Sequence, residues 1–297
     1  MSWQQLHCQA SKQHEESICT LLEVAGAASV TYQDAEDTPV LEPLPGETPL
    51  WDSLIITGMF DADINLDSVV EQLHQLFPKQ LHIHTEKLKE QQWERTWMEH
   101  YHPMKFGDNL WIYPTHSERP NDGSTQIILD PGLAFGTGTH PTTALCLEWL
   151  DKHPPKDLKL IDYGCGSGIL AIAAIKLGAE HVIATDIDKQ AFIATQDNMQ
   201  TNHLPADCIT TYLPEEMPDK QVDILLANIL SGPLTELAPT LASLVKVNGF
   251  IVLSGILAKQ EDAIVKAYTP FFSNLEVTAS EGWLRVSGQR SLITLNN

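Results

Sequence analysis

The stretch LKLIDYGCGSGILAIAAIKLGAEHVIATDID, residues 158–188, constrains the fold more than any other part of the chain. Its apolar runs predict a strand, a helix and a second strand, over residues 158–163, 169–177 and 181–185. Three glycines, Gly164, Gly166 and Gly168, separate the first strand from the helix. A strand, a glycine-rich turn, a helix and a second strand are typical of an open, mostly parallel α/β sheet.

Asp186 follows the second predicted strand directly. A glycine-rich turn lets the backbone approach a ligand closely, and an acid after the next strand can accept hydrogen bonds from both ribose hydroxyls. We therefore expect a cofactor that contains a nucleoside. Dinucleotide-binding loops read GxGxxG, whereas this loop reads GxGxG and has Ile169 in the place of the last dinucleotide glycine. Asp162, just before the loop, disfavours a pyrophosphate and favours a cationic ligand such as S-adenosylmethionine (SAM), which carries a sulfonium and an ammonium.

A third apolar strand, predicted over residues 222–227, ends at Asn228. Strands and helices alternate after it, and LTELAPTLASLV, residues 234–245, reads as one helix. Ligands of such sheets bind beyond the carboxyl ends of the strands, so Gly164, Asp186 and Asn228 are expected to converge on one crevice. The Asn228 carbonyl oxygen suits the N–H of an incoming amine, and a helix-cap or turn role for the same side chain stays open.

The stretch FGTGTHPTT, residues 135–143, has no lysine and so is not a Walker phosphate loop. Pro141 suits the first turn of a helix over TTALCLEWL, with His140 or Thr139 as its cap. We expect this stretch to form the lid side of the pocket, with Thr143 facing the cofactor.

Two side chains of the same stretch are further candidates for the chemistry. Phe135 is expected near the incoming amine. His140 is a candidate general base because the ordinary pKa of histidine is about 6.5, and the alternative is that it only shapes the turn before the helix.

The hydrophobic patterns in the N-terminal third of the chain predict strands and helices in the order β-α-β-β-α-β, which is typical of a ferredoxin-like unit. It contains no glycine-rich loop and no catalytic pairing, so we interpret it as a recognition or docking domain. The predicted limits are residues 1–88 for this domain, 89–118 for a linker that contains a helix before Pro103, and 119–297 for the cofactor-binding domain.

Histidines recur in pairs, His82 with His84 and His100 with His102, but no carboxylate or cysteine cluster completes a metal site beside them. We therefore predict no metal.

Composition limits the partners and the compartment. The net charge of −21, from 18 basic and 39 acidic residues, disfavours nucleic acid and favours encounter with a basic protein, unless the acidity serves solubility alone. The five cysteines form no CxxC pair, and no apolar run approaches the ~20 residues of a membrane span. We expect a cytoplasmic monomer with reduced thiols.

Four blocks carry a resemblance to a known family. DPGLAFGTGTHPTT, DYGCGSGILAIAA, TDID and ANILSGPL occur in this order across residues 130–235. Together they resemble the PrmA-type enzymes, bacterial class I SAM-dependent methyltransferases that methylate ribosomal protein L11. The resemblance implies that the N-terminal domain holds the substrate protein, and that methyl groups go to lysine side chains and to the α-amino terminus.

The site residues follow from the resemblance and from the residues themselves. By motif position, Thr143, Gly164, Asp186 and Asn228 resemble the SAM contacts of the family. The expected cofactor-binding set is Thr143, Asp162, Gly164, Gly166, Asp186 and Asn228, and the expected catalytic set is Asn228, Phe135 and His140.

Two other functions stay open at this point. A methyltransferase acting on a glutamine amide or a nucleic acid would be favoured by an NPPY-like motif, but this chain has NILS at residues 228–231. A SAM-binding module without catalysis would be favoured by replacement of Asp186 or the glycines, and all of these are present.

Overall fold

The computed structural model describes residues 3–36, 50–78, 81–88, 102–129 and 140–292. The chain divides into two compact units, residues 1–96 and residues 97–297. The helix predicted before Pro103, and Phe135 with its neighbours, lie outside the described residues. The domain limits predicted from the sequence stay a prediction.

The first unit is an antiparallel sheet with two helices. Its elements are β1 (Trp3–Ser11), α1 (Glu15–Val24), β2 (Ser29–Asp34), β3 (Ser53–Asp61), α2 (Leu66–Leu76) and β4 (His82–Leu88). The strand order is β2-β3-β1-β4, and each neighbouring pair is antiparallel. This order confirms the predicted ferredoxin-like arrangement.

Hydrophobic periodicity explains how the first unit buries its core. Alternate residues of β1, among them Leu6 and Cys8, are buried, which is the pattern of a sheet with one covered face. The helices cover that face with side chains such as Leu22 and Leu73. Asn65 caps α2 by accepting a hydrogen bond from the backbone N–H of Asp67 at 3.0 Å, as its place before the apolar run predicts.

The second unit contains the larger sheet. Its elements are β5 (Met104–Phe106), β6 (Leu110–Tyr113), β7 (Thr125–Ile128), α3 (Pro141–Lys152), β8 (Lys159–Tyr163), α4 (Ile169–Lys176), β9 (His181–Thr185), α5 (Lys189–Thr201), β10 (Ile209–Tyr212), β11 (Val222–Asn228), α6 (Ser231–Glu236), α7 (Ala238–Ser243), β12 (Val245–Leu257), α8 (Glu261–Tyr268), β13 (Phe272–Ser280) and β14 (Trp283–Arg290).

Seven strands form the sheet that carries the site, in the order β10-β9-β8-β11-β12-β14-β13. The strands from β10 to β12 pair in parallel, and β14 runs antiparallel to both of its neighbours. The central strands are buried on both faces, with Leu160, Ile161 and Leu225 at 0% exposure. The mostly parallel sheet predicted from the alternation of strands and helices is therefore confirmed.

A separate sheet of β5, β6 and β7 packs beside the large sheet through Ile112 and Ile127, which belong to the same core as α3 and α4. In this core Asn202 connects α5 to β7, because its side-chain amide exchanges two hydrogen bonds with the backbone of Ile128, at 2.8 and 2.7 Å. The pairing satisfies both the backbone N–H and the carbonyl oxygen of Ile128, at the end of β7.

One predicted helix is wrong in its extent. Residues 234–245 do not form a single helix, because α6 ends at Glu236 and α7 begins at Ala238. Pro239 stands in the first turn of α7, where its missing N–H and fixed φ are tolerated. In the interior of a continuous helix the same proline would remove a hydrogen bond and clash with the preceding turn.

Helices long and apolar enough to cross a lipid bilayer are absent from the part of the chain that the structure describes.

Candidate active site

The carboxyl ends of β9, β8 and β11 lie side by side in the sheet. Tyr163 of β8 pairs with Thr185 of β9 and with Ala227 of β11, so the three strands end at the same level. The next residues along the chain are Gly164, Asp186 and Asn228. The structure therefore brings together the three residues that were expected to converge on one crevice.

The glycine loop is fixed to the end of β9 by two backbone hydrogen bonds. The N–H groups of Gly164 and Cys165 donate to the carbonyl oxygen of Thr185 at 2.7 and 3.0 Å. Gly164 has a φ of +79°, and a Cβ added there would collide with the side chain of Ile229. Glycine is thus required at this position by backbone conformation and by space at once.

Asp186 faces the same loop. Its Oδ2 accepts a hydrogen bond from the backbone N–H of Gly166 at 3.0 Å, and its Oδ1 accepts one from the N–H of Asp188 at 3.0 Å. An ionised carboxylate offers about four acceptor positions, so roughly two remain for a ligand. These two contacts hold the carboxylate in one orientation before any ligand arrives.

Asp162 lies just before the loop, within the strand predicted over residues 158–163, and its side chain is buried beneath the loop. It belongs to β8 and is 1% exposed, and its Oδ2 accepts a hydrogen bond from the N–H of Ala171 at 3.0 Å. Its Oδ1 is buried and has no hydrogen-bond partner among the described residues. Burial raises the pKa of this carboxyl to about 7, and the charge of Asp186 adds to the rise, while the bond from Ala171 opposes it.

Thr143 and Asn228 meet in the crevice from two elements. The Nδ2 atom of Asn228, at the end of β11, donates to Oγ1 of Thr143, in the first turn of α3, over 3.2 Å. Thr143 is 2% exposed, whereas Asn228 is only partly buried. With Nδ2 engaged in this way, the carbonyl oxygen of Asn228 is left to accept from a ligand.

His140 is the N-cap of α3, one of the two caps expected from the sequence. Its Nδ1 accepts from the backbone N–H of Thr142 at 3.3 Å and lies 2.7 Å from the Oγ1 of that threonine. Burial lowers the pKa of this imidazole, and the charge of Glu281 partly opposes the effect. A neutral ring that accepts at Nδ1 carries its hydrogen on Nε2, which leaves neither nitrogen free to take a proton.

Within the part of the first unit that the structure describes, the histidines are not grouped with enough other ligands to form a metal centre. The rings of His7 and His84 stack at 6.0 Å, and His7 Nε2 lies 3.3 Å from Glu86 Oε1. No group of three or more metal-ligating side chains occurs within residues 3–36, 50–78, 81–88, 102–129 and 140–292.

Two residues at the site were not found from the sequence. Ile187 follows Asp186 and is 87% exposed, so its apolar side chain is open to solvent next to this carboxylate. The ring of Trp283 meets that of His140 edge to face at 4.7 Å. The sequence does signal Ile187, since an apolar residue interrupts the polar stretch DID, but nothing in it pairs Trp283 with a residue 143 positions earlier.

Comparisons with known proteins agree with this geometry. The family described as Ribosomal protein L11 methyltransferase (PrmA) matches residues 2–291. The ribosomal protein L11 methyltransferase of Cellvibrio japonicus is 50% identical over 288 residues, which cover 97% of this chain and 98% of that protein. The protein of the same name from Idiomarina loihiensis is 46% identical over 292 residues, covering 98% and 99%.

A solved structure extends the match to three dimensions. The ribosomal protein L11 methylase of Lactobacillus delbrueckii subsp. bulgaricus is 33% identical, with a TM-score of 0.59, and the match covers 65% of this chain and all of that one. The likeness confirms the class I methyltransferase fold that the resemblance implied. With a family match over nearly its whole length and relatives of about half identity, the chain belongs to the ribosomal protein L11 methyltransferase (PrmA) family.

Proposed function

We propose that this protein is a SAM-dependent protein N-methyltransferase that methylates lysine side chains and the N-terminal α-amino group of ribosomal protein L11. The observation that supports it most directly is the meeting of the glycine loop, Asp186 and the Asn228–Thr143 pair at one sheet edge, in a chain that belongs to this family. The glycine loop and Asp186 are suited to a nucleoside cofactor, and the Asn228–Thr143 pair is suited to an amine.

The residues present fit SAM. The two oxygens of Asp186 are held by backbone N–H groups and keep acceptor positions for the ribose hydroxyls, while Gly164 and Gly166 let the backbone approach the ligand. The Oδ1 of Asp162, which has no hydrogen-bond partner among the described residues, supplies a buried acceptor, and a nearby ammonium would favour the ionised form of this carboxyl. The exposed side chain of Ile187 offers an apolar face for the adenine ring.

SAM, held by Gly164, Gly166 and Asp186, would supply a methyl group on a positively charged sulfur; as the N–C bond to a neutral amine forms, the C–S bond would break and the sulfur would leave as a neutral thioether. The chain's own contribution is to place the amine. The carbonyl oxygen of Asn228 accepts one N–H of the amine and aims its lone pair, and Thr143 fixes the amide so that this oxygen faces the ligand. Phe135, which lies outside the described residues, is proposed beside the amine.

The amine must lose a proton first. A lysine with a pKa of about 10.4 is mostly protonated at pH 7, and its neutral form costs about 4.6 kcal/mol in solution. Desolvation in the crevice lowers that cost. Because both nitrogens of His140 are engaged or protonated in its capping role, we assign the proton to water and His140 to the cap of α3.

The substrate assignment agrees with the charge of the chain. A net charge of −21 attracts a basic ribosomal protein and speeds encounter with it. We propose that residues 1–88 hold this protein, that residues 89–118 are the linker between the two domains, and that residues 119–297 carry out the methyl transfer. We also propose that the protein is a cytoplasmic monomer that does not bind nucleic acid directly.

Mass spectrometry after incubation with methyl-labelled SAM tests the function. Purified ribosomal protein L11 should gain label at lysine and at its α-amino terminus, and Asn228→Ala should abolish the gain while SAM still binds. Label on another large-subunit protein in place of L11 would overturn the substrate. Absence of label on every candidate, with SAM bound, would show a binding module without catalysis.

A further inference from the structure

The tip of the β13–β14 hairpin is a tight turn with a fixed shape. Ser280 pairs with Trp283, and the two residues between them, Glu281 and Gly282, have φ values of +49° and +81°. Positive φ at both central residues is the signature of a type I′ turn, which matches the twist of the strands it joins. The carbonyl oxygen of Gly282 also accepts from the N–H of Ala258 at 2.9 Å. Glu281 is therefore presented from a rigid support.

This tip projects beyond the catalytic edge of the sheet. Asn228 pairs with Ser254 of β12, and β12 continues to Leu257, which pairs with Trp283. Three further residues of strand correspond to about 10 Å, so the hairpin tip stands above the level of Asn228. The turn thus forms a rim of the crevice, on the side where β12 and the β13–β14 hairpin extend beyond the end of β11.

Contacts with α3 tie the rim to the catalytic pair. The Trp283 ring packs on His140, the cap of α3, at 4.7 Å. Lower on the same strand, Nη1 of Arg285 donates to the carbonyl oxygen of Leu145 in α3 at 3.2 Å. Since α3 also carries Thr143, the partner of Asn228, the hairpin and the site are held in one arrangement.

Glu281 is an exposed acid at this rim. No Lys or Arg of the described residues forms an ion pair with it, and its charge acts on His140 by raising the pKa of the imidazole, against the larger effect of burial. Because His140 stays neutral in its capping role, the carboxylate remains available to a cation that comes from outside.

We propose that Glu281 captures the protonated amine of the substrate protein at the rim, before the amine loses its proton and reaches Asn228. The inference rests on the proposed function, which requires each target lysine or α-amino group to approach the crevice as a cation. A carboxylate paired with an ammonium favours the charged form, so the amine must leave Glu281 before it can lose its proton to water. Glu281 therefore acts on binding of the amine and not on methyl transfer.

Steady-state kinetics with purified ribosomal protein L11 separate capture from transfer. Glu281→Gln should raise the KM for L11 by about tenfold, the factor that corresponds to about 1.4 kcal/mol, and leave kcat within about twofold. Glu281→Asp should recover part of the loss, and the dissociation constant of SAM should not move. In the native enzyme KM should rise with salt, and it should rise less in Glu281→Gln.

Glu276→Gln is the matched control, since it removes the same charge from β13 about 17 Å farther along the strand. An unchanged KM in Glu281→Gln, or an equal rise in Glu276→Gln, would overturn the inference, the second result because it would reflect net charge alone. A fall in kcat without a change in KM would also overturn it. Failure of the native enzyme to methylate L11 at all would instead refute the proposed function.

Discussion

Asn228 and Thr143 are joined through their side chains, 85 positions apart in sequence, by a hydrogen bond of 3.2 Å from Nδ2 to Oγ1. The bond links the end of a central strand to the first turn of a helix that packs on the same sheet. It also decides the orientation of the Asn228 amide, because a donor at Nδ2 leaves the carbonyl oxygen for the ligand.

The first prediction tests this orientation. Thr143→Val removes the acceptor and keeps the shape of the side chain, so the Asn228 amide is free to rotate. We expect kcat to fall by about tenfold, since a misplaced positioning group costs on the order of a kcal/mol or more of transition-state stabilisation. Thr143→Ser keeps the hydroxyl and should retain most of the activity. Equal activity of the valine and serine variants in a methyl-transfer assay would contradict the role of the bond.

A second prediction concerns Asp186. Asp186→Asn keeps the size of the side chain but removes its charge and part of its acceptor capacity, so SAM should lose charge-assisted hydrogen bonds. We expect the dissociation constant of SAM, measured by calorimetry, to rise by about a hundredfold, or about 3 kcal/mol.

Asp188→Asn is the control for that measurement. Asp188 caps α5 through the N–H of Gln190 at 2.9 Å, and asparagine serves equally well at a cap. SAM binding should therefore match that of the native protein. If both variants bind SAM alike, Asp186 does not contact the ribose.

The fold was predictable from the sequence where local signals agree. The strand over His181–Thr185 has the predicted limits, because an apolar run flanked by a glycine turn and an acid leaves little freedom in register. In contrast, Pro239 splits the helix predicted over 234–245, although the proline itself was visible. The helical spacing of apolar residues continues across the break, and this pattern predicts a single helix despite the proline.

The site was predictable only in part, because some of its relationships are not local. Strand order follows from the rules for parallel sheets, and these bring Gly164, Asp186 and Asn228 to one edge. The meeting of Trp283 with His140 depends on an antiparallel hairpin inserted at the end of the sheet, for which the sequence has no register signal. The sequence places Asp162 in the strand over residues 158–163 but does not show that its side chain is buried, since charged side chains are usually exposed.

The third prediction follows from that burial. The folded-state pKa of Asp162 is about 7, above the value of about 3.9 for an unfolded aspartate, so the native state favours the protonated form. The stability that this group contributes is fully present below about pH 4 and is lost as the pH rises to about 7. The free energy of unfolding should thus fall across this window, by no more than about 4 kcal/mol from this group.

Urea denaturation between pH 4.5 and 8 measures the slope. Asp162→Asn cannot ionise and should remove this part of the pH dependence, while the rest of the curve is unchanged. In the native protein, saturating SAM should flatten the slope if its ammonium favours the ionised carboxylate. An identical slope in the native protein and the asparagine variant would show that Asp162 does not titrate in this range.

The fourth prediction separates backbone strain from lack of space in the glycine loop. Gly164 and Gly123 have nearly the same φ, +79° and +80°, but a Cβ at Gly164 would collide with Ile229, whereas a Cβ at Gly123 would meet no atom of the described residues within 4 Å apart from its chain neighbours. Gly123→Ala should therefore cost only the strain of the left-handed conformation, about 1–2 kcal/mol in urea denaturation. Gly164→Ala should cost about 1–3 kcal/mol more, because the added carbon displaces Ile229. Since Ile229 follows Asn228, the same change should also weaken methyl transfer, and Gly123→Ala should not. Equal losses of stability in the two variants would mean that the loop yields to the extra carbon and that the glycine is needed for its φ alone.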